Sequence, residues 1–199
     1  MLVGVLAGGL LTWLLITDSL RDFGISLYQN FEPLLLQNYG FNEAQIGLVF
    51  SLFALVYALS SISGSRLADR WSVPGALALS GFVHAGAIGI LVFIQTIPAT
   101  LGYFVLSGLA FGLADLVFDA MLALSAPARH IGMAFGLFRT AISFAAMPAP
   151  FIGDTLWEHA SPLLPFALGG RSQQAEAVLT WIKLRPQVEQ LQPAVQEGD

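Results

Sequence analysis

Long apolar runs with few charges are the feature that most constrains what this chain can fold into. Several of them approach twenty residues, the length that an α-helix needs to cross about 30 Å of hydrocarbon at about 1.5 Å per residue. The mean hydropathy is +0.73 and only 11% of the 199 residues are charged, which is outside the range of ordinary water-soluble domains. The sequence therefore predicts an all-α, polytopic integral membrane protein.

Apolar runs between polar, glycine or proline positions predict a bundle of six transmembrane helices over residues 1–185 and a disordered cytoplasmic tail over residues 186–199. The predicted spans are 3–37, 44–63, 74–95, 98–126, 131–153 and 162–184. Pro33 predicts a kink in the first span, because proline removes one backbone donor. The sixth span carries polar side chains, namely Arg171, Gln173, Gln174 and Glu176. We expect this polar side to face protein or the membrane interface.

The basic residues outside the spans predict the orientation of the bundle. All of them fall in connections on one side of the membrane: Arg66, Arg70, Arg129, Lys183 and Arg185. Connections on the cytoplasmic side of a membrane carry an excess of lysine and arginine. We therefore expect both termini in the cytoplasm and the protein in the plasma (inner) membrane.

Composition and motifs exclude several function classes. A net charge of −5 with no basic run does not suggest a nucleic-acid surface. The chain has no cysteine, so disulfides, thiolate chemistry and cysteine metal sites are absent. The histidines have no metal-ligand spacing, and no phosphate-binding Gly-x-x-x-x-Gly-Lys-Ser/Thr loop occurs, so ATP is not the direct energy source. We expect no cofactor and no metal.

The connection between the second and third spans carries a recognisable motif. The stretch "SRLADRWS" resembles the signature loop of the major facilitator superfamily, Gly-x-Leu-Ala-Asp-Arg-x-Gly. The central residues 67–70 match it, whereas Ser65 and Ser72 replace the two glycines. The stretch "NFEPLLLQNYGFNEAQIGLVFSLFALVYALSS" resembles the seventh and eighth helices of that family. The stretch from "GLAFGLADLVFD" to "DTLW" resembles the tenth and eleventh, with the turn "GMAFGLFRT" and the pair Pro150 and Gly153. The resemblance covers residues 10–170.

This resemblance implies a fold and a function. The chain resembles the C-terminal six-helix half of a twelve-span secondary transporter, which moves a small solute by alternating access and is driven by an ion or proton gradient. Its expected partners are the lipid bilayer, a small-molecule substrate and a second six-helix half, supplied upstream in the same chain, by a homodimer or by a separate chain. In the family the acidic loop residue helps to hold one access state, so Asp69 and Arg70 are gating candidates.

Charged residues within the spans are the main site candidates, because an unpaired charge in hydrocarbon costs several kcal/mol. They are Asp18, Arg21, Asp22, Asp115, Asp119 and Arg139. Counting along each helix places all of them in the cytoplasmic half of the membrane, where Arg21 can pair with Asp18, and Asp119 with Arg139. We expect Asp115 or Asp22 to carry the coupling proton, with Asp18 beside them. The alternative is that these charges only lock helices together or form a gate.

Polar and small residues complete the set of candidates. Tyr28 and Asn30 are predicted to contact substrate, with helix-to-helix hydrogen bonding as the alternative. Glu32 lies near the outer end of its span, where we expect it to be solvated, and His84 is expected to be a packing residue. Glycines at four-residue steps, Gly108 with Gly112 and Gly132 with Gly136, predict close helix packing.

Two rival functions remain open on the sequence. A non-transporting membrane scaffold or assembly module is compatible with a single six-helix half and a polar sixth span. A membrane-embedded enzyme would use Asp115 and Asp119 as a carboxylate pair, but no nucleophile or histidine lies at a supportive spacing. We therefore do not expect an enzyme.

Overall fold

The computed structural model describes residues 9–70, 73–125 and 131–186, with side chains described over 9–62, 74–123 and 131–186. Within these residues the chain is helical. The elements in chain order are α1 (Gly9–Ser26), a 3-10 turn (Gln29–Phe31), α2 (Glu32–Asn38), α3 (Glu43–Arg70), α4 (Val73–Phe93), α5 (Ile97–Ser125), α6 (Ile131–Ala146), α7 (Ala149–His159) and α8 (Leu164–Leu179), which continues into a π-helical turn (Thr180–Leu184).

Four segments of the described chain are long and apolar enough to cross a membrane. They are Glu43–Ile62, Pro74–Phe93, Ile97–Ala123 and Ile131–His159, and they correspond to the second to fifth predicted spans. Helix α1 carries three charged residues, at positions 18, 21 and 22, and α8 carries the polar residues noted above. The all-helical membrane fold is thereby supported, and the count of six spans stays a prediction.

The first predicted span is broken rather than kinked. Helix α1 ends at Ser26, a 3-10 turn follows, and a new helix begins at Glu32. Pro33 lies in the first turn of α2, where the missing N–H of proline removes no helical hydrogen bond. The expectation of one continuous helix with a kink at Pro33 is therefore wrong, because the chain leaves the helix before the proline and restarts on it.

The fifth predicted span, 131–153, is also divided. Helix α6 ends at Ala146, and α7 begins at Ala149 with Pro150 in its first turn. Gly153 of α7 faces the broken stretch of the first span, and a Cβ atom there would lie 3.1 Å from the Phe31 ring and in contact with the Leu27 carbonyl. Helix α7, which follows the second break, therefore packs against the first break.

Helices that are neighbours in space are mostly not neighbours in sequence. Helix α3 packs on α5, α5 on α4, α4 on α8, α8 on α1, and α1 on α6. This order places α1, which carries three of the candidate charges, within reach of both α5 and α6, which carry the others.

The polar side of α8 contacts α1. The Ser172 hydroxyl donates to the backbone carbonyl of Leu20 at 2.6 Å, and the Gln173 amide donates to the carbonyl of Arg21 at 3.0 Å. The side chain of Glu176 is buried as well, whereas Arg171 is exposed. Of the two expectations for this polar side, contact with protein is correct for Gln173 and Glu176.

Two apolar clusters fill the interior, one towards each end of the bundle. The first includes Leu14 of α1, and the second includes Tyr28, just after the end of that helix. Asp18 and Arg21 lie on α1 between the two clusters and are both buried. Burying these charges would be costly without partners, so the partners of Arg21 define the candidate site.

Candidate functional site

Arg21 connects two helices through two carboxylates. Its Nη2 donates to Asp115 Oδ1 at 2.9 Å, and its Nε lies 2.9 Å from Asp18 Oδ1. The side chains of Asp18 and Arg21 are 4% and 9% exposed, whereas Asp115 is 30% exposed. Arg21 is therefore the buried centre of the group, and Asp115 is its member that reaches the surface of the bundle.

Tyr57 adds a third helix to this group. Its hydroxyl donates to Asp115 Oδ2 at 3.1 Å, so both carboxylate oxygens of Asp115 accept a hydrogen bond. We call the four residues Asp18, Arg21, Tyr57 and Asp115 the polar cluster. Tyr57 was not among the sequence-predicted site residues. Its phenol, in a mostly apolar predicted span, was the one feature that could have indicated it.

Asp119 and Arg139 form a separate and more open pair. The Nη2 atom of Arg139 lies 2.9 Å from Asp119 Oδ1, and the two side chains are 46% and 48% exposed. The guanidinium group also lies 5.2 Å from the ring centroid of Phe118. The expected contact between these two residues is thus present, on the surface of the bundle rather than in its interior.

The six charged residues predicted within the spans do not form one group in the structure. Asp18, Arg21 and Asp115 are joined by direct contacts, and Asp119 and Arg139 make their own pair. Asp22 is partly buried and takes part in none of the ion pairs found among the described residues. One continuous network of four acids and two arginines is therefore not formed by direct contacts.

A cavity of about 310 Å³ opens towards the other end of the bundle from the polar cluster. Six aromatic side chains line it: Tyr28, Phe50, Phe53, Tyr103, Phe104 and Phe111. Its other lining residues are Ile25, Gln29, Asn30, Glu32 and Ser107. Both predicted substrate contacts, Tyr28 and Asn30, line this cavity.

Tyr28 and Asn30 present different groups to the cavity. The Tyr28 hydroxyl lies 3.0 Å from Nε2 of buried His84, so it already has a polar partner. Asn30 is exposed and keeps its amide available. The helix-to-helix alternative thus describes the Tyr28 hydroxyl, and His84 is a packing residue, as expected.

Glu32 departs from its sequence expectation of a solvated position. It is partly buried, lines the cavity and accepts a hydrogen bond from the Tyr103 hydroxyl. The break after α1 is the physical reason, because the new helix begins at Glu32 and directs its first turn towards α5. Residue counting along one continuous span could not place this side chain.

Aromatic packing links the cavity to the polar cluster. The Phe53 ring stacks on the Tyr57 ring with centroids 6.2 Å apart and meets Phe111 edge-on at 5.8 Å. Phe53 lines the cavity, and Tyr57 donates to Asp115. A movement of Phe53 in the cavity would therefore act directly on Tyr57, a member of the polar cluster.

Glu176 is a buried acid that the sequence analysis did not propose as a site residue. It is 1% exposed, and its Oε1 accepts a hydrogen bond from Thr180 at 2.9 Å. Its Oε2 has no hydrogen-bond partner among the described residues. The sequence expectation that the polar side of the sixth span faces protein or the membrane interface includes this position, but it assigned Glu176 no role.

The gating candidates Asp69 and Arg70 lie at the limit of the described chain. Their backbone forms the last turn of α3, and their side chains lie outside the described residues. The predicted basic position Arg129 and the predicted tail beyond Pro186 lie outside them as well.

Comparison with known proteins identifies the family. The family model of the Major Facilitator Superfamily matches residues 2–195. An uncharacterized MFS-type transporter of Methanocaldococcus jannaschii is 24% identical over 169 residues, which cover 85% of this chain and 44% of that protein. The multi-drug resistance efflux pump PmrA of Streptococcus pneumoniae is 27% identical over 182 residues, which cover 89% of this chain and 45% of the pump.

These comparisons agree with the resemblance found in the signature loop. Both relatives are named as transporters rather than as enzymes, in keeping with the expectation for this chain. The chain spans less than half the length of either relative. Because the family model matches almost the whole sequence, this chain is an integral membrane protein that belongs to the major facilitator superfamily.

Proposed function

We propose that this chain is a six-helix half of a secondary active transporter that moves a small solute by alternating access and is coupled to protons. A second six-helix half, from the same chain upstream, from a homodimer or from a separate chain, closes the solute path. Both termini face the cytoplasm, and the membrane is the plasma (inner) membrane. The family membership and the lengths of the relatives support this proposal.

One observation carries the proposal: polar and charged side chains are exposed at membrane depth. Asp115, Asp119 and Arg139 are 30%, 46% and 48% exposed. Asp115 lies roughly 15 Å along the helix axis from the end of α5 at Ser125. Contact with lipid tails at that depth would cost several kcal/mol for each charge. A water-filled path between two halves removes this cost.

Asp115 has the geometry of a proton carrier. It is hydrogen-bonded to Arg21 and Tyr57 on its protein side and is partly open on the other. Protonation would remove its charge and weaken its contact with Arg21, so that α1 and α5 are held together less tightly. In this scheme Asp18 keeps Arg21 in place, and Asp22 is a second candidate for the proton.

The remaining predicted residues have supporting roles. The pair Asp119–Arg139 holds α5 to α6, and Tyr28 and Asn30 contact the solute in the cavity that they line. Asp69 and Arg70 contribute to a cytoplasmic gate, as the resemblance of the signature loop implies.

The experiment compares Asp115→Asn with Asp119→Asn in proteoliposomes that hold an entrapped pH-sensitive dye. A panel of cationic, anionic and neutral solutes is added, and solute-dependent proton flux is recorded together with thermal stability. We expect Asp115→Asn to abolish the flux and to remain folded. We expect Asp119→Asn to keep most of the flux.

Equal, wild-type-like flux in both variants would contradict the role of Asp115. Wild-type protein that binds no solute of the panel and moves none would instead favour the scaffold alternative. Either result would be independent of the substrate class argued below, because the panel is not restricted to one charge type.

A further inference from the structure

We propose that the cavity between α1, α3 and α5 binds an organic cation with an apolar body and that Glu32 is its counter-ion. This inference names the substrate class of the proposed transporter and rests on that function for its biological role. The binding step itself depends only on residues of this chain.

The charge of the lining favours a cation. Among the described residues that line the cavity, Glu32 is the only acid, and none is lysine, arginine or histidine. A bound anion would therefore face a carboxylate without any compensating positive group, whereas a cation would form a charge-assisted contact with it. The presence of an acid and the lack of a basic residue in the described lining therefore favour a positively charged ligand.

The aromatic lining favours the same ligand class. Six of the eleven lining residues carry aromatic rings, and the faces of such rings attract cations, more strongly when the site is shielded from water. The rings also present apolar surface to the body of the ligand. A small inorganic cation would gain little from this surface, because it would lose its hydration shell to groups that cannot replace it.

The few polar groups are too sparse for a highly hydroxylated solute. Besides Glu32 and the two tyrosines, the lining offers Gln29, Asn30 and Ser107. A sugar-like ligand would bury many hydroxyl groups against aromatic rings without hydrogen-bond partners, which is costly for each group. An amine or quaternary centre needs one carboxylate and a ring surface, and the cavity supplies both.

Tyr103 fixes the position of the carboxylate. Its hydroxyl donates to Glu32, and its side chain is 2% exposed, so the acid is held at the wall of the cavity on a rigid helix. The volume of about 310 Å³ is at the lower end of that of sites for drug-sized molecules. The site is therefore preformed for a compact ligand.

The test uses two ions of the same shape and opposite charge, tetraphenylphosphonium and tetraphenylborate. Binding of each to the purified chain in nanodiscs is measured by equilibrium dialysis, for wild type and for Glu32→Gln. The glutamine keeps an acceptor for Tyr103 and removes the charge. We expect Glu32→Gln to weaken tetraphenylphosphonium binding about tenfold, as loss of a charge-assisted contact implies, and to leave tetraphenylborate binding unchanged or tighter.

Glu43→Gln is the matched control, because Glu43 is an exposed acid at the start of α3 outside the cavity. It should bind both ions as wild type does. Phe53→Leu removes one ring and keeps the charge, and about threefold weaker tetraphenylphosphonium binding is expected from one lost cation–ring contact. If Glu32→Gln does not fold, Phe53→Leu tests the cation site instead, and unchanged tetraphenylphosphonium binding in that variant would contradict it.

Wild-type affinity for tetraphenylphosphonium in folded Glu32→Gln, or preference of the wild type for tetraphenylborate, would overturn the inference. Glu32-dependent cation binding by a protein that fails the proton-flux assay would leave this inference standing and overturn the transport function. Proton flux that depends on Asp115, together with cation binding that does not depend on Glu32, would support the transport function and overturn the role of Glu32.

Discussion

Arg21 and Asp115 are 94 positions apart in the sequence, and Arg21 Nη2 donates to Asp115 Oδ1 at 2.9 Å. This contact joins α1 to α5 in the interior of the bundle, where Arg21 is buried. Because Asp18 shares the same guanidinium group, one arginine balances two carboxylates. The contact between α1 and α5 and the charge balance of Asp18 and Asp115 therefore depend on a single side chain.

Replacement of Arg21 tests how much this coupling contributes to stability. Arg21→Met leaves two carboxylates without their counter-charge, and we expect a loss of about 3–5 kcal/mol in the free energy of unfolding. Denaturant titration in detergent micelles measures it. Arg139→Met is the control, because that pair is half exposed and such pairs contribute about 0–1 kcal/mol. Equal losses in the two variants would show that burial of Arg21 does not matter.

Tyr57 should support the role of Asp115 in proton flux without holding the fold together. Tyr57→Phe removes the 3.1 Å hydrogen bond to Asp115 Oδ2, which lowers stability by only about 0.5–1.5 kcal/mol. We expect solute-dependent proton flux to fall, because Asp115 then keeps only its contact with Arg21.

The control for this prediction is Tyr39→Phe, which removes a hydrogen bond of 3.1 Å to the backbone carbonyl of Leu91. That hydroxyl lies away from the polar cluster. Proton flux that falls equally in both variants, or in neither, would mean that the Tyr57 hydroxyl has no specific effect on Asp115.

Close approach of α3 and α5 depends on Gly112. A Cβ atom there would lie 2.6 Å from the Tyr57 carbonyl oxygen and would strike the Ser60 hydroxyl. Gly112→Ala should therefore lower the free energy of unfolding by about 1–3 kcal/mol, as overpacking does. Gly102→Ala on the same helix meets no atom within 4 Å, and the better helix propensity of alanine should leave stability unchanged or up to about 1 kcal/mol higher. Thermal unfolding in micelles compares the two, and an equal loss would contradict the account.

Sequence reasoning could predict contacts that depend on helix geometry alone. Residues 18 and 21 lie on one face of a helix, and counting from helix ends places Asp119 level with Arg139; both contacts are present. The close approach at Gly108 and Gly112 also follows the predicted pattern, whereas Gly132 and Gly136 have no atom within 4 Å of a Cβ position. A small residue permits close packing and does not require it.

Contacts that depend on which helix face meets which neighbour could not be predicted. Spans such as α4 and α5 are apolar on nearly all sides, so their sequences contain no amphipathic signal that selects a face. The contact of Tyr57 was missed for this reason. The expectation for Glu32 was wrong because the break after Ser26 redirects the chain at Glu32. Pro33 indicated that the first span was irregular, but it did not show that the helix ends before the proline. The division of the fifth span was not predicted.

The central claim is that one face of this bundle lines a water-filled path and that the opposite faces contact lipid. Phe53 lines the cavity, and Leu55 is 57% exposed and lies about 200° around the same helix. The chain has no cysteine of its own, so Phe53→Cys and Leu55→Cys each introduce a single thiol. The most direct measurement is the rate at which a charged, membrane-impermeant methanethiosulfonate reagent labels each thiol in intact membranes.

We expect Phe53→Cys to be labelled several times faster than Leu55→Cys, because the reagent reaches the water-filled path and does not reach lipid. This order is expected although Leu55 is the more exposed side chain in the structure of this chain alone. Labelling of Leu55→Cys at an equal or faster rate would contradict it.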